Sequence, residues 1–547
     1  MKNLLLLSLI LLLTGAILGF WYFWQRPETV EMARYIPSEA LVYLEANDLP
    51  LALQSYTETA AWRELAPQFG VRKGFGEFGW LSRFLADTNL GSTETVVFGR
   101  GQVAVALFGF STAAGGEAFK IKPLYAVVVE TKSSRAPQFV EKQIGELARN
   151  QFGEISVEKS ERDGNAWTIF RSKKDERKIF AAVSGTAAIF GNDESAVNSC
   201  LETKNGARRS LAENPQLVEM RQRTESRGAL MFGLVTTGGV KKLSELGAVL
   251  FAAQISEEPM AMSLVAQSLP PLIEKTVAGI GWSARQIEGR IEDRYFVAVP
   301  SELTARLREP LMVSKQTNSR AAGLLPADSH SVTIYNFKNA GAAWRGLILS
   351  LTTRLDVLSA AALAQTSGKL LEPYGISEPY EFLSAAGEEI VTARLSQNEN
   401  DTVAMVKTGD PNKMLAAIAT ADKKTNRAAT ISDEMLILGE SDDVARCLAA
   451  KSQNLAGTDF WRSFIEIGFA PEAPFVRTFT RDNESAPSFV KIFADEKARQ
   501  KVPELKGNPV WIVSASETRL LEGGFERRTR SGFGLIGTLA ASFMDSK

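Results

Sequence analysis

Two hydrophobic rhythms alternate along the chain beyond about residue 30. Runs such as LYAVVVE (residues 124–130) and KIFAAVS (residues 178–184) read as period-2, half-buried strands. Their partly polar outward faces suit antiparallel sheets better than a doubly wound parallel one. Between them lie helical patterns. In APQFVEKQIGELARNQF, from Ala136, the residues Phe139, Val140, Ile144 and Leu147 recur at helical spacing. The segment ESAVNSCLE follows Asn192 and Asp193, either of which can cap a helix. The order of strands, helix, strands, helix predicts an α+β class.

The first 30 residues follow neither rhythm. Residues 4–24, LLLLSLILLLTGAILGFWYFW, carry no charge. At about 1.5 Å per residue the run reaches roughly 30 Å, the thickness of a bilayer's hydrocarbon core. Trp21, Tyr22 and Trp24 stand at its far end, where amphipathic rings favour a headgroup region, and Arg26 and Pro27 close it. The expectation is an uncleaved N-terminal transmembrane helix, with residues 1–3 in the cytoplasm and the body outside it. A cleaved signal peptide is the competing reading, but it calls for a shorter apolar stretch and a small-residue exit.

The strand and helix patterns then recur in order. IPSEALVYLEAND from Ile36 resembles LPADSHSVTIYNF from Leu325, each a proline and a turn before a strand. GQVAVAL from Gly101 matches GEEIVTARL from Gly387, and helices begin at Pro137 and Pro411. AAVSGTAAIFGNDESAVNSCL matches AATISDEMLILGESDDVARCL, with Ser184 and Gly191 spaced like Ser432 and Gly439 and with Cys200 and Cys447 at equivalent places. EGRIEDR from Glu288 corresponds to EGGFERR from Glu522. This collinear order predicts two duplicated α+β units with mainly antiparallel sheets. The expected division is a linker at 25–35, a first repeat at 36–312, a hinge at 313–324 and a second repeat at 325–547.

Composition removes several functions. The 62 Lys and Arg balance 63 Asp and Glu, so nothing draws the chain to polyanions, and no nucleic-acid partner is expected. Two cysteines exclude a disulfide framework and a multi-cysteine metal cluster. One histidine, His330, rules out a multi-histidine zinc site. No catalytic residue, cofactor or metal ligand is predicted.

The remaining motifs have dull readings. GFGLIG (residues 532–537) fits a dinucleotide fingerprint, but too few residues follow to complete a βαβ unit. Acidic pairs such as Glu388 with Glu389, or Asp442 with Asp443, suit a solvated surface unless a pocket sets two carboxyls face to face. Cys200 and Cys447 read as buried apolar residues. Trp62 with Arg63, and Trp344 with Arg345, recur near the start of each half and are candidate docking residues, since tryptophan and arginine favour interface hot spots.

ARYIPSEALVYLEANDLPLALQSYTETAAWREL, from Ala33, resembles a bacterial membrane-anchored family catalogued as a domain of unknown function, DUF3352. The match rests mainly on residues 33–67, with a proline-led strand and a short helix near a Trp. The resemblance implies a bacterial, envelope-facing protein and assigns no activity. The functional expectation is a non-enzymatic protein: a scaffold, assembly factor or accessory subunit of an envelope complex with a protein partner. The alternatives are a lipid- or glycan-binding module with a groove between the repeats, and a carboxylate-based hydrolase.

Overall fold

The computed structural model describes residues 29–71, 99, 101–113, 120–255, 259–313, 319–369, 371, 374–398, 400–418, 426–467, 469, 473–501 and 510–545. The expected transmembrane helix is corrected. No helix among the described residues is long and apolar enough to cross a membrane. The two helices of sufficient length are Thr237–Ile255, interrupted by Lys241, Lys242 and Glu245, and Pro259–Thr276, with Pro270 and Pro271 inside it. Residues 4–24, with Trp21, Tyr22 and Trp24, lie outside the described residues. The single-pass location inferred from them is therefore not carried forward.

The chain divides into two compact units, residues 1–57 with 74–239 and residues 58–73 with 240–547. In the first unit the strands are β1 (Val42–Ala46), β2 (Gln102–Ala113), β3 (Lys120–Glu130), β4 (Ile155–Arg162), β5 (Asn165–Ser172), β6 (Lys178–Ser184), β7 (Ala187–Gly191) and β8 (Met231–Val235). All pairings are antiparallel, in the spatial order β8-β1-β2-β3-β7-β6-β5-β4. A helical stretch packs on this sheet as Ala136–Phe139, a π-helical turn at Val140–Ile144, and Gly145–Phe152. The wider π turn delays the inward face by a residue. Phe139, Val140 and Ile144 are buried as expected, but Ala148 and Phe152 continue the core while Leu147 turns to solvent.

The second unit has β9 (Gly279–Ile287), β10 (Arg290–Ala298), β11 (Ser331–Tyr335), β12 (Ala386–Arg394), β13 (Thr402–Thr408), β14 (Arg427–Ser432), β15 (Met435–Glu440), β16 (Val476–Arg481), β17 (Val513–Leu521) and β18 (Gly524–Ser531). These are also antiparallel, in the order β9-β10-β18-β17-β16-β11-β12-β13-β15-β14. The class is α+β with extensive antiparallel sheet. The hairpin β9–β10, which falls within 36–312, pairs into the second unit through β10 and β18.

The run β8-β1-β2-β3-β7-β6 in the first unit has the same connectivity as β16-β11-β12-β13-β15-β14 in the second. The fine structure repeats too. Leu211 N donates to Ile36 O at 2.7 Å, and Leu455 N donates to Leu325 O at 2.8 Å. Pro37 bridges to Ser210, and Pro326 to Asn454. In the first unit the buried Gln102 accepts from Val30 N at 2.7 Å; in the second the buried Glu389 accepts from Ala321 N at 3.1 Å and from the Ser319 hydroxyl at 2.8 Å. Gln102 and Glu389 thus hold matching places, one residue away from the alignment that matched Gly101 to Gly387. A register shift between Ala386 and Ile390 absorbs the difference.

Candidate functional site

The densest chemistry among the described residues lies on one face of β16, β17, β18 and β10. The strands IEDRYFVA and GFERRTRS carry charges on both faces, which one-sided alternation does not anticipate. Cross-strand partners share a face. The register therefore groups Arg290, Glu292 and Arg294 of β10 with Arg530, Arg528 and Glu526 of β18, then Glu517 and Arg519 of β17, then Arg477 of β16.

Three carboxylates thread these guanidinium groups together. Glu526 lies 3.0 Å from Arg294 Nε and 3.1 Å from Arg528 Nε. Glu517 lies 3.0 Å from Arg477 Nε and 2.7 Å from Arg519 Nη2. Glu292 accepts from Arg530 Nε at 2.7 Å. Rings flank the ladder, with the Arg477 guanidinium 4.7 Å from the Phe464 ring and that of Arg530 5.0 Å from the Phe469 ring. Burial pushes the Glu517 carboxyl up despite Arg477 and Arg519. Burial, with Arg530 second, lowers Arg290 to about 10, and its guanidinium donates to Val513 O at 2.7 Å.

The pairing has a local symmetry. Arg294 and Arg528 are the seventh residues of EGRIEDR and EGGFERR, and they stand directly opposite each other in the β10–β18 ladder. Glu292 and Glu526 precede them by two residues. A pair of buried ions broken on one side costs about 3–5 kcal/mol, so the ladder fixes the register of the two hairpins.

Other candidates are committed to the fold. Burial raises Asp293 to about 7. Its carboxyl accepts from Trp282 Nε1 at 2.8 Å and from Leu535 N at 2.7 Å, and so holds the start of the helix Gly534–Asp545. GFGLIG is therefore a helix entry occupied by an internal carboxyl, with Gly534 at φ +62° and room for a Cβ denied by Asp293 Oδ2 at 2.5 Å. Cys200 and Cys447 are free and buried, and burial pushes both thiols up to about 12. His330 sits just before β11; burial, then Arg394, lowers it toward the neutral form. Asp442 and Asp443 lie in the first turn of the helix Ser441–Ala449.

The two Trp–Arg motifs go to different places in the second unit. Trp62, on the helix Ala60–Gln68 capped by Thr59, is buried against Phe489, Phe493 and Phe533 with centroids 5.5–6.4 Å away. Arg63 is exposed. Trp344 is half-buried on the helix Ala340–Thr352, whose Ala343 packs with Leu303 and Leu307, and Arg345 is exposed with its guanidinium 5.6 Å from the Tyr380 ring.

An open cavity of about 390 Å³ in the second unit is lined by Ala327, Asp328, Thr458, Asp459, Phe460 and Arg481 among others. Arg481 lies 4.1 Å from the Phe460 ring and donates to the Ser329 and Ala327 carbonyls. Asp328 is paired with Arg446 at 2.7 Å, and Asp459 with Arg462.

Sequence reading missed the arginine ladder. It also missed a second network in the first unit, where Arg221 donates to Glu31 at 2.8 Å and to the buried Glu45 at 2.7 Å, while Tyr43 Oη donates to Glu45 at 2.7 Å. The available signal was charge at inward strand positions, as in LEA of β1 and FERR of β18.

The model of a family described as "Protein of unknown function (DUF3352)" matches residues 5–432. The chain belongs to the DUF3352 family. The match extends far beyond residues 33–67, across the first unit and into the second as far as the end of β14. No curated protein and no solved structure matches the chain.

Proposed function

We propose that this DUF3352 protein is a non-catalytic, partner-binding protein, a scaffold or accessory subunit of a larger assembly built on a duplicated α+β frame. One observation carries the reading: the groups whose acidity departs most usefully from the ordinary are spent on the fold. Asp293 caps a helix from a buried position, and the two thiols, raised to about 12, sit in helices Glu194–Lys204 and Ser441–Ala449 as core residues. Catalytic groups are normally tuned toward neutrality and left open to substrate. The repeated connectivity supports the duplication, because one strand order with matching entry hydrogen bonds occurs in both units.

Co-purification of the tagged full chain from its source cells after light crosslinking tests this. A partner in fixed stoichiometry that resists salt washing is the expected result. A chain recovered alone, together with turnover abolished by one cleft substitution, would overturn it.

A further inference from the structure

The two frames differ at both ends of the shared run: β8 pairs with β1 alone among the described residues where β16 pairs with β11 and β17, and β14 differs from β6 at the other end. In the first unit β6 has neighbours on both sides, β7 on one and β5 on the other. In the second unit the corresponding strand, β14, pairs with β15 on one side, and among the described residues no strand pairs with its other side. The correspondence is set by register: Ser184 lies opposite Ala187 and Ser432 opposite Met435, so Val183 matches Ile431 and Ala181 matches Ala429.

With no neighbouring strand among the described residues, apolar side chains of β14 stand exposed. Val183 is 8% exposed and belongs to a core that includes Phe170 of β5. Ile431 is 44% exposed, and Ala429 is exposed as well. Their β15 partners Leu436 and Leu438 are buried in the core built with Phe382 and Met414. Among the described residues no strand closes that core beyond β14.

At the corresponding end of the first unit the outermost strand, β4, is protected. β4 carries Glu158, Lys159 and Arg162, paired with Arg171, Glu141 and Glu194. Charges of this kind discourage strand addition. β14, with the sequence RAATIS, has one charge, Arg427.

We propose that β14 receives an extended segment of a partner protein, antiparallel, in the place that β5 occupies in the first unit. The occupant's chemistry follows from that internal template. β5 reads NAWTIFRS and lays Ala166 opposite Val183 and Phe170 opposite Ile179. The position of Ile179 corresponds to Arg427. A fitting segment is an extended run of about six residues, apolar opposite Ile431 and aromatic opposite Arg427, where a ring can lie on the guanidinium. A second copy of β14 fits less well, since it would bring Ala429 and Ile431 and no aromatic residue. The inference rests on the partner-binding reading and names the edge and the kind of segment.

The test uses the full chain and a fluorescent, end-capped peptide NAWTIFRS. Saturable binding is expected, at least tenfold weaker for Ile431→Lys and for Ala429→Lys, with both variants unfolding at the wild-type midpoint and a scrambled peptide failing to bind. Hydrogen exchange at residues 427–432 should slow when the peptide is bound. Absence of saturable binding overturns the inference, as does binding indifferent to both substitutions, which exchange with the chain's own β5 would give. Co-purification separates this claim from the broader one. A partner retained by Ile431→Lys at wild-type yield removes β14 as the site and leaves the scaffold reading standing. A wild-type chain with no partner removes the scaffold reading itself.

Discussion

Asp293 shows how much a single buried carboxyl is asked to do. Its two donors, Trp282 and the Leu535 amide, favour the ionised form, and burial opposes it more strongly, so the group is held at about 7 instead of the ordinary 3.8. A carboxyl raised on folding binds its proton more tightly in the folded state. Its contribution to stability is therefore greatest below about pH 4, declines as pH rises to about 7, and is flat above. Unfolding free energy of the wild type relative to Asp293→Asn should fall by about 1–4 kcal/mol across that window. Parallel pH profiles for the two proteins would refute the assignment. At this scale the sequence was partly legible. Asp193 caps its helix, accepting from Ala196 N at 3.1 Å, while Asn192 turns aside to join β3 through Tyr125 N and Pro123 O. Both residue types cap helices, and only the path of β3 decides between them. Trp62 illustrates the reverse: its type suggests an interface, and its neighbours Phe489, Phe493 and Phe533 make it an internal anchor.

Elements followed their periodicity where one face meets a core and departed from it where backbone geometry intervened. The strand runs 124–130 and 178–184 fall in β3 and β6, although residues 128–130 and 181–184 are buried on both faces and do not show the half-buried alternation expected of them. The inward face of the Ala136 helix slipped from Leu147 to Ala148 because a π turn holds more residues per turn, and no spacing rule announces such a turn. Gly191 and Gly439, matched by sequence, have one physical cause. A Cβ on Gly191 would lie 2.2 Å from Tyr125 O, and one on Gly439 would lie 2.9 Å from Thr402 O, so each strand end approaches the neighbouring backbone too closely for a side chain. Gly191→Ala should destabilise the chain by about 1–3 kcal/mol and Gly439→Ala by less, measured by denaturant unfolding. Equal or negligible losses would show that the approach relaxes without cost. The ion-pair ladder was hidden for a different reason. Charged residues on a strand normally mark its solvent face, and GFERRTRS reveals its buried carboxylate, Glu526, only once β10 and β17 supply the partners.

At the scale of the whole molecule, antiparallel α+β structure was readable because partly polar strand faces suit antiparallel sheets better than a doubly wound one. The compact units were not. Contiguous repeats at 36–312 and 325–547 assume that each repeat keeps its own strands, whereas β10 and β18 pair about the opposed Arg294 and Arg528 inside one unit. Pairing of that kind depends on long-range register, which local patterning does not encode. The expectation drawn from residues 4–24 stands apart, since it concerned residues outside those described and no described helix can span a bilayer. What unites the scales is that unusual groups are consumed by architecture while the β14 edge keeps apolar side chains exposed with no neighbouring strand among the described residues. Native mass spectrometry of the protein isolated at its natural abundance tests that account most directly. A discrete complex of this chain with another protein, lost on Ile431→Lys, is the predicted result. A population made up only of the free chain or its homo-oligomers would contradict it.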